Sequence, residues 1–406
     1  MMSNEDGDTT VRQMSSNLIK VYWLIIGVAF ISFAAQFILT ALLMPESVIL
    51  QLLCTGSAFV LVIVGIFLLY LMLERQQRVA NWIDNFFLKD YYYSYNEKST
   101  YTKLKLPDMP ILLAVFFVTL VISGALVFIG CFFTILAIPI IFICITSPSL
   151  MWVSYVYSKD IYEPEPARMV LISLTWGMLS TIPALVGNTA VSIFTKENAF
   201  ISIAIGAPLI EEFVKGLGIY FARKDIDNEL DGAIYGVSSG IGFSVIENMF
   251  YVLNPLVASV LMPLQPNGYV FLTLVRGLAC VMLHAIGPAA IGIGYGYYAR
   301  MCFRPMSHIR IPIGYAIGVI YHMLWNGSSV WLDGLGIENV ILQILVSAGH
   351  IIGLGFFVFT TLYFMISYAK TKDKEHWIAR RKMRESIYED KGMQYKDNKN
   401  KEQIKL

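Results

Sequence analysis

About ten apolar stretches, each roughly 20 residues or longer, run through this chain, and no other feature narrows its fold as much. A helix of that length spans the ~30 Å hydrocarbon core of a bilayer. In lipid every backbone N–H and C=O must find a partner within the protein, so such stretches become helices. They cover about residues 18–43, 48–73, 110–129, 131–156, 167–193, 199–222, 230–254, 270–299, 311–333 and 340–369. The spans at 110–129 and 131–156 meet near Gly130 with almost no loop. The expected fold is an all-α, polytopic transmembrane helix bundle. The composition agrees, at 56% hydrophobic and 15% charged, far outside soluble norms. Met1–Asp8 is acidic and polar, so no secretory leader is expected there. A formal net charge of +1 gives no reason to expect nucleic acid as a partner. The five cysteines lie in or beside apolar stretches without metal-ligand spacing and read as buried thiols.

Basic residues orient the bundle. With an even number of spans, every Lys and Arg except Lys196, Lys215 and Arg276 falls at or beyond the ends of spans on one side. Cytoplasmic loops carry such an excess, so both termini are expected in the cytoplasm of a cell-membrane protein. The chain divides into a polar N-terminal segment (1–17), an accessory membrane region with four spans (18–149), a core (150–333), a final span (334–369) and a basic tail (370–406). Within the accessory region, the 74–107 loop carries Trp82, Phe86, Phe87, Tyr91, Tyr92, Tyr93 and Tyr95 among its charges and is expected along the cytoplasmic interface. The tail is expected to be a fraying helix, either solvated or resting on anionic lipid.

Against this background Glu211 and Glu212 stand out, side by side inside an apolar span. An ionised carboxylate near the bilayer centre costs roughly 2.5–3.5 kcal/mol on insertion scales. Two neighbouring ones also repel, so at least one needs a proton or a partner. Three other spans carry matching groups: Glu247 with Asn248, His284, and His322 with Asn326. At 1.5 Å per residue from the cytoplasmic end, Glu212 lies at ~15 Å depth, His322 at ~17 Å, His284 and Asn326 at ~22 Å and Glu247 at ~25 Å. Four helices thus place acids and imidazoles in one slab. Lys215 is four residues from Glu211, so that pair is expected to meet along one face, leaving Glu212 as the preferred base. Glu229 and Asp231 sit at the cytoplasmic mouth, where capping is natural. Arg276 falls near the outer interface, where a snorkelling cation is the plain reading.

Peptide hydrolysis needs an activated water, a general base and groups that stabilise an oxyanion. A carboxylate in a low-dielectric pocket is a competent base. Two histidines and a glutamate (His284, His322 and Glu247) would also hold zinc; alternatively His322 and Asn326 donate to the oxyanion with no metal. The His-Glu-x-x-His pattern of common zinc proteases is absent. Midplane acids also mark ion- or proton-coupled transporters, and an inactive scaffold would share the same bundle.

Five stretches in order carry a resemblance. They are Asp160-Ile-Tyr-Glu-Pro-Glu-Pro166 followed by Arg168; Glu211-Glu212-Phe-Val-Lys215; Glu229-Leu-Asp231-Gly232-Ala-Ile-Tyr235-Gly236; Phe243-Ser-Val-Ile-Glu247-Asn248; and Arg276 with His284, then His322-Met-Leu-Trp-Asn326. Across about 150–333 the chain resembles the PrsW-type intramembrane proteases, distant relatives of the CAAX prenyl endopeptidase and of bacteriocin-processing membrane proteins. The resemblance implies an endopeptidase acting on membrane-anchored proteins or peptides, anti-sigma-factor-like ones among them. It implies catalytic roles for Glu211, Glu212, Glu247, His284 and His322, with Lys215, Asn248, Asn326, Glu229 and Asp231 in support. PrsW members are often described as metalloproteases, whereas CAAX-type relatives are viewed as using glutamate-activated water. Many relatives end the last motif in Asp; Asn326 here is closer to the CAAX-type pattern.

Overall fold

A computed structural model describes residues 4–43, 47–74, 104–129, 131–258, 266–301, 304–336 and 339–390. All regular structure among them is helical. The elements are α1 (Asn4–Leu43), α2 (Val48–Glu74), α3 (Met109–Ile129), α4 (Cys131–Tyr157), α5 (Ala167–Leu179) and α6 (Thr181–Phe194). A π-helix, π1 (Phe200–Gly206), then runs into α7 (Ala207–Ala222), followed by α8 (Glu229–Ala258) and α9 (Pro266–Leu274). A second π-helix, π2 (Val275–Cys280), continues into α10 (Val281–Arg300); α11 (Arg310–Gly334) and α12 (Val340–Asp390) complete the bundle.

Seven helical stretches among the described residues are long and apolar enough to cross a membrane, and the chain is an integral membrane protein. The other three expected spans, 199–222, 230–254 and 311–333, are helical and pack inside the same bundle. They carry Glu211, Glu212, Lys215, Glu247, His322 and many of the glycines, which dilute their apolar character. The expected span at 167–193 is broken at Ser180. Pro183 explains the break, because its ring clashes with the carbonyl four residues earlier, that of Leu179. The aromatic cluster between residues 82 and 95 and the tail beyond residue 390 lie outside the described residues.

Two helices run on past the expected spans. The polar N-terminal segment is already helical from Asn4, as the first turns of α1. Up to residue 390 the basic tail continues α12, one helix of 51 residues. Its polar half docks on the core: Trp377 stacks on Tyr162 at 4.9 Å, and Arg380 pairs with Glu163 (3.1 Å) and Asp227 (3.5 Å).

Helix α8 is the centre of the bundle, and a glycine stripe sets its position. Gly232, Gly236 and Gly240 recur every fourth residue, on one face. Their Cα atoms press against the backbone of α10 at Gly292, Pro288 and His284, so a Cβ on any of them would overlap a main-chain carbonyl. Small residues give such close helix approach inside membranes. On another face Gly242 meets the carbonyl of Leu174 in α5. The antiparallel α8–α10 contact carries the next turns of both helices, with Glu247 and His284, into reach of each other. Gly240→Leu is therefore expected to destabilise the bundle by about 1–3 kcal/mol or more through overpacking. Gly349, with open space where its Cβ would be, is the control. Thermal unfolding in detergent should show a lower midpoint for Gly240→Leu and little change for Gly349→Leu.

Candidate active site

One turn of α7 supplies Glu211, Glu212 and Lys215, all buried. Positions i+3 and i+4 lie on the same helix face, so the sequence alone permits Lys215 to pair with either acid. The structure corrects the expected pairing: Lys215 Nζ lies 2.5 Å from Glu212 Oε1. The second oxygen of Glu212 is enclosed by Gly287 and Gly318, where any Cβ would strike it. Glu212 is thus held inside the bundle. Glu211 instead faces a cavity. Its Oε1 accepts a 2.8 Å hydrogen bond from Asn188 Nδ2, and its Oε2 is buried without a hydrogen-bond partner. Of the two carboxylates, Glu211 and not Glu212 lines the cavity.

Both histidines converge on this turn. His322 Nδ1 donates to Glu212 Oε1 at 2.9 Å, which leaves Nε2 as the bare ring nitrogen, 3.7 Å from Glu211 Oε2. His284 stands edge-on to His322, with ring centroids 5.1 Å apart. Its Nδ1 lies 3.1 Å from Lys215 Nζ, and its Nε2 lies 2.6 Å from Glu247 Oε2. Because an ammonium only donates, Nδ1 accepts and Nε2 carries the proton toward Glu247. Phe243, one turn before Glu247, packs against the His284 ring (5.3 Å) and under Lys215 (4.8 Å). The aromatic residue of that motif therefore buttresses the two cationic or imidazole groups.

Arg276 belongs to this network rather than to the outer interface. It reaches Glu247 Oε2 at 2.5 Å, donates to Asn248 Oδ1 at 2.9 Å and lies over the Tyr251 ring at 3.9 Å. The two asparagines of the motifs act as clasps. Asn248 Nδ2 donates to the Arg276 carbonyl in π2 (3.0 Å), and Asn326 Nδ2 donates to the Ile203 carbonyl in π1 (3.0 Å). A π-turn displaces carbonyls from the α-helical ladder, and such turns often flank functional sites. Asn326, which also lines the cavity that Glu211 faces, thus holds π1, which leads into the Glu211 turn.

Glu229 and Asp231 lie elsewhere, about 27 and 24 Å from Glu247 by helical rise. Glu229 forms a two-pronged ion pair with Arg300 (2.6 and 2.9 Å). Asp231 accepts the backbone N–H of Asp227 (2.8 Å) and of Asn228 (3.2 Å), capping the start of α8. Asp160, Glu165 and Asp231 lie together there. Asp160 accepts from the Glu165 N–H (2.7 Å) and Glu165 from the Tyr235 hydroxyl. The acid-proline segment is thereby fastened to α8. His350 binds Ser328 Oγ (2.7 Å), a packing role.

The cavity holds about 450 Å³. Glu211, Glu247, Arg276, His284 and His322 line one end; Ser192, Glu197 and Ala199, in and around the Thr195–Asn198 turn, line the other. That far end lies at the other end of the π1–α7 stretch from Arg223 and Lys224. The turn at the mouth holds Lys196 and Glu197 at φ 53° and 60°, a left-handed conformation uncommon for such residues. Asn188 and Gln36 also line the cavity. Neither stands out as a charge, yet each is the one carboxamide in its apolar span, which was the available signal.

Within the cavity Glu211, His284 and His322 converge, with one ligand atom from each lying within 4.8 Å of the others. Glu211 thus stands where sequence reasoning put Glu247, which is engaged by Arg276. One carboxylate and two imidazoles suit a catalytic zinc site with an open position. The orphaned Glu211 Oε2 and the bare His322 Nε2 fit that role, and Glu212 behind His322 is the orienting carboxylate such a ligand usually has. His284 would join by exchanging one of its two hydrogen bonds.

A family profile described as PrsW family intramembrane metalloprotease matches residues 165–350. Protease PrsW of Geobacillus kaustophilus is 31% identical over 158 residues, covering 37% of this chain and 63% of the relative. Protease PrsW of Oceanobacillus iheyensis is 30% identical over 188 residues, covering 44% and 78%. Protease PrsW of Bacillus subtilis is 28% identical over 160 residues, covering 37% and 64%. The chain therefore spans less than two thirds of the first and third of these relatives. No solved structure matches it. The matched region contains every helix that bears an acid or imidazole of the site, and by its likeness to these relatives the chain belongs to the PrsW family of intramembrane metalloproteases.

Proposed function

We propose that this chain is an intramembrane endopeptidase that hydrolyses peptide bonds of membrane-anchored proteins, with Glu211 as the general base. The observation that carries the reading is the cavity-facing Glu211 carboxylate, buried and lacking a partner on Oε2, beside His284 and His322. Glu211 Oε2 takes a proton from water as the water oxygen attacks the scissile carbonyl carbon, and passes that proton to the departing amide nitrogen. Lys215 and Glu212 hold the imidazoles of His284 and His322 in place. Arg276 and Asn248 hold Glu247 against His284. Anti-sigma-factor-like single-span proteins are the substrate class that the sequence resemblance implies. With both termini cytoplasmic, as the Lys/Arg bias requires, the cavity mouth faces the opposite side and the scissile bond lies in that half of the membrane.

A carboxylate oxygen that ligates a metal does not also take the proton, so zinc is the second reading, favoured by the convergence of Glu211, His284 and His322. These three would hold the ion, with Glu211 as ligand rather than base; when bound, it polarises a carbonyl and makes a bound water acidic enough to ionise near neutral pH. On that reading purified protein is expected to carry about one equivalent of zinc, and the His322→Ala variant markedly less. A chelator should abolish cleavage of a co-reconstituted single-span substrate and added zinc should restore it. Full cleavage by protein shown by elemental analysis to be metal-free would leave Glu211 acting without a metal.

A further inference from the structure

One wall of the cavity comes from outside the region matched to the family. That region starts at residue 165, yet α1 packs against α5, α6 and α8. Phe33 meets Phe250 edge-on at 4.8 Å, and Ser32 and Thr181 approach to 3.5 Å. One turn beyond Ser32, Gln36 lines the cavity. It is the one amide or charged side chain between Val21 and Leu43. A carboxamide in an apolar span is costly unless it is bonded, and that of Gln36 has no hydrogen-bond partner among the described residues. On α6, Asn188 spends its amide N–H on Glu211, while its Oδ1 is buried and without a partner. Two carboxamides with unused bonding capacity therefore line the cavity that leads to the base.

A transmembrane substrate arrives as a helix, with its carbonyls tied to N–H groups four residues away. To present a carbonyl for attack it must unwind locally, which exposes N–H and C=O groups to apolar surroundings at several kcal/mol each. A carboxamide both donates and accepts and carries no charge, so it matches a neutral main-chain amide. Resting on the endopeptidase reading above, we propose that Gln36 and Asn188 form a subsite for the unwound main chain of the substrate. The accessory helix α1 then takes part in substrate binding, and Gln36 is a positioning residue that does not touch the reacting bond.

The test uses the full chain and Gln36→Leu, which keeps side-chain size and removes the amide. In proteoliposomes the variant is expected to lose about tenfold in kcat/KM, mostly through KM, with an unchanged unfolding midpoint. A set of single-span substrates, each with one main-chain amide near the scissile bond replaced by an ester, removes one N–H at a time. At one position the ester should cost the wild type several-fold and cost Gln36→Leu nothing further. Binding of a fluorescent single-span peptide, read without cleavage, should weaken about tenfold in the variant. Unchanged binding and KM in Gln36→Leu, or ester losses equal in both proteins, would overturn the subsite. Gln36-dependent binding with no cleavage by the wild type would instead overturn the endopeptidase reading and leave a polypeptide-binding cavity.

Discussion

Glu211→Gln is expected to lower kcat/KM for a single-span substrate by about 10²–10⁴-fold while leaving the unfolding midpoint near that of the wild type. Glutamine fills the same space and still accepts from Asn188 through Oε1, the contact that Glu211 makes now. It does not take a proton from water. Glu212→Gln should also impair cleavage, for another reason and with another signature. It removes the negative charge shared by Lys215 (2.5 Å) and His322 (2.9 Å), so a buried ammonium loses its counter-charge and the imidazole is left with a weaker, neutral acceptor. That variant is expected to unfold at lower temperature. Kinetics and unfolding measured side by side separate the base from the anchor, and equal midpoints with equal activity losses would contradict the division.

Lys215→Met is expected to destabilise the protein by about 3–5 kcal/mol, the usual result of stripping one partner from a buried ion pair. Lys215 is fully buried and Glu212 nearly so, at 0% and 1% side-chain exposure. Without the ammonium, Glu212 would keep only His322 on Oε1, while Oε2 stays enclosed by Gly287 and Gly318 with no hydrogen-bond partner. The double variant Lys215→Met/Glu212→Gln removes both charges and should recover a large part of the loss. It should not recover cleavage, because His284 has lost the group that orients it and His322 is left with a weaker, neutral acceptor. Chemical unfolding in detergent for the two single variants and the double one closes this cycle. A double variant no more stable than Lys215→Met would show that the pair does not act as a unit.

Much of this arrangement is legible in the residues alone. Apolar length requires helices, and the similar depth of Glu212, Glu247, His284 and His322 places them in one slab, where the bundle brings them together. What is not legible is which neighbour each group chooses. Lys215 has Glu212 three residues before it and Glu211 four before it, and helical spacing does not rank the two. The choice is made by Gly287 and Gly318, whose missing side chains open the space that Glu212 fills. Arg276 reads as an interfacial cation if its span is a straight α-helix, but it sits in π2, where the altered winding turns it toward Glu247. Asn188 and Gln36 carry no charge and match no motif, so their place in the cavity follows only from how α1 and α6 pack.

The central claim is that Glu211 drives peptide-bond hydrolysis within the membrane. Its most direct test is fragment mapping by mass spectrometry, with a single-span substrate co-reconstituted in liposomes with wild type or Glu211→Gln. The account predicts a single cut by the wild type, in the half of the span nearer the Thr195–Asn198 turn, and an intact substrate with a folded Glu211→Gln protein. The same fragments from both proteins would contradict it.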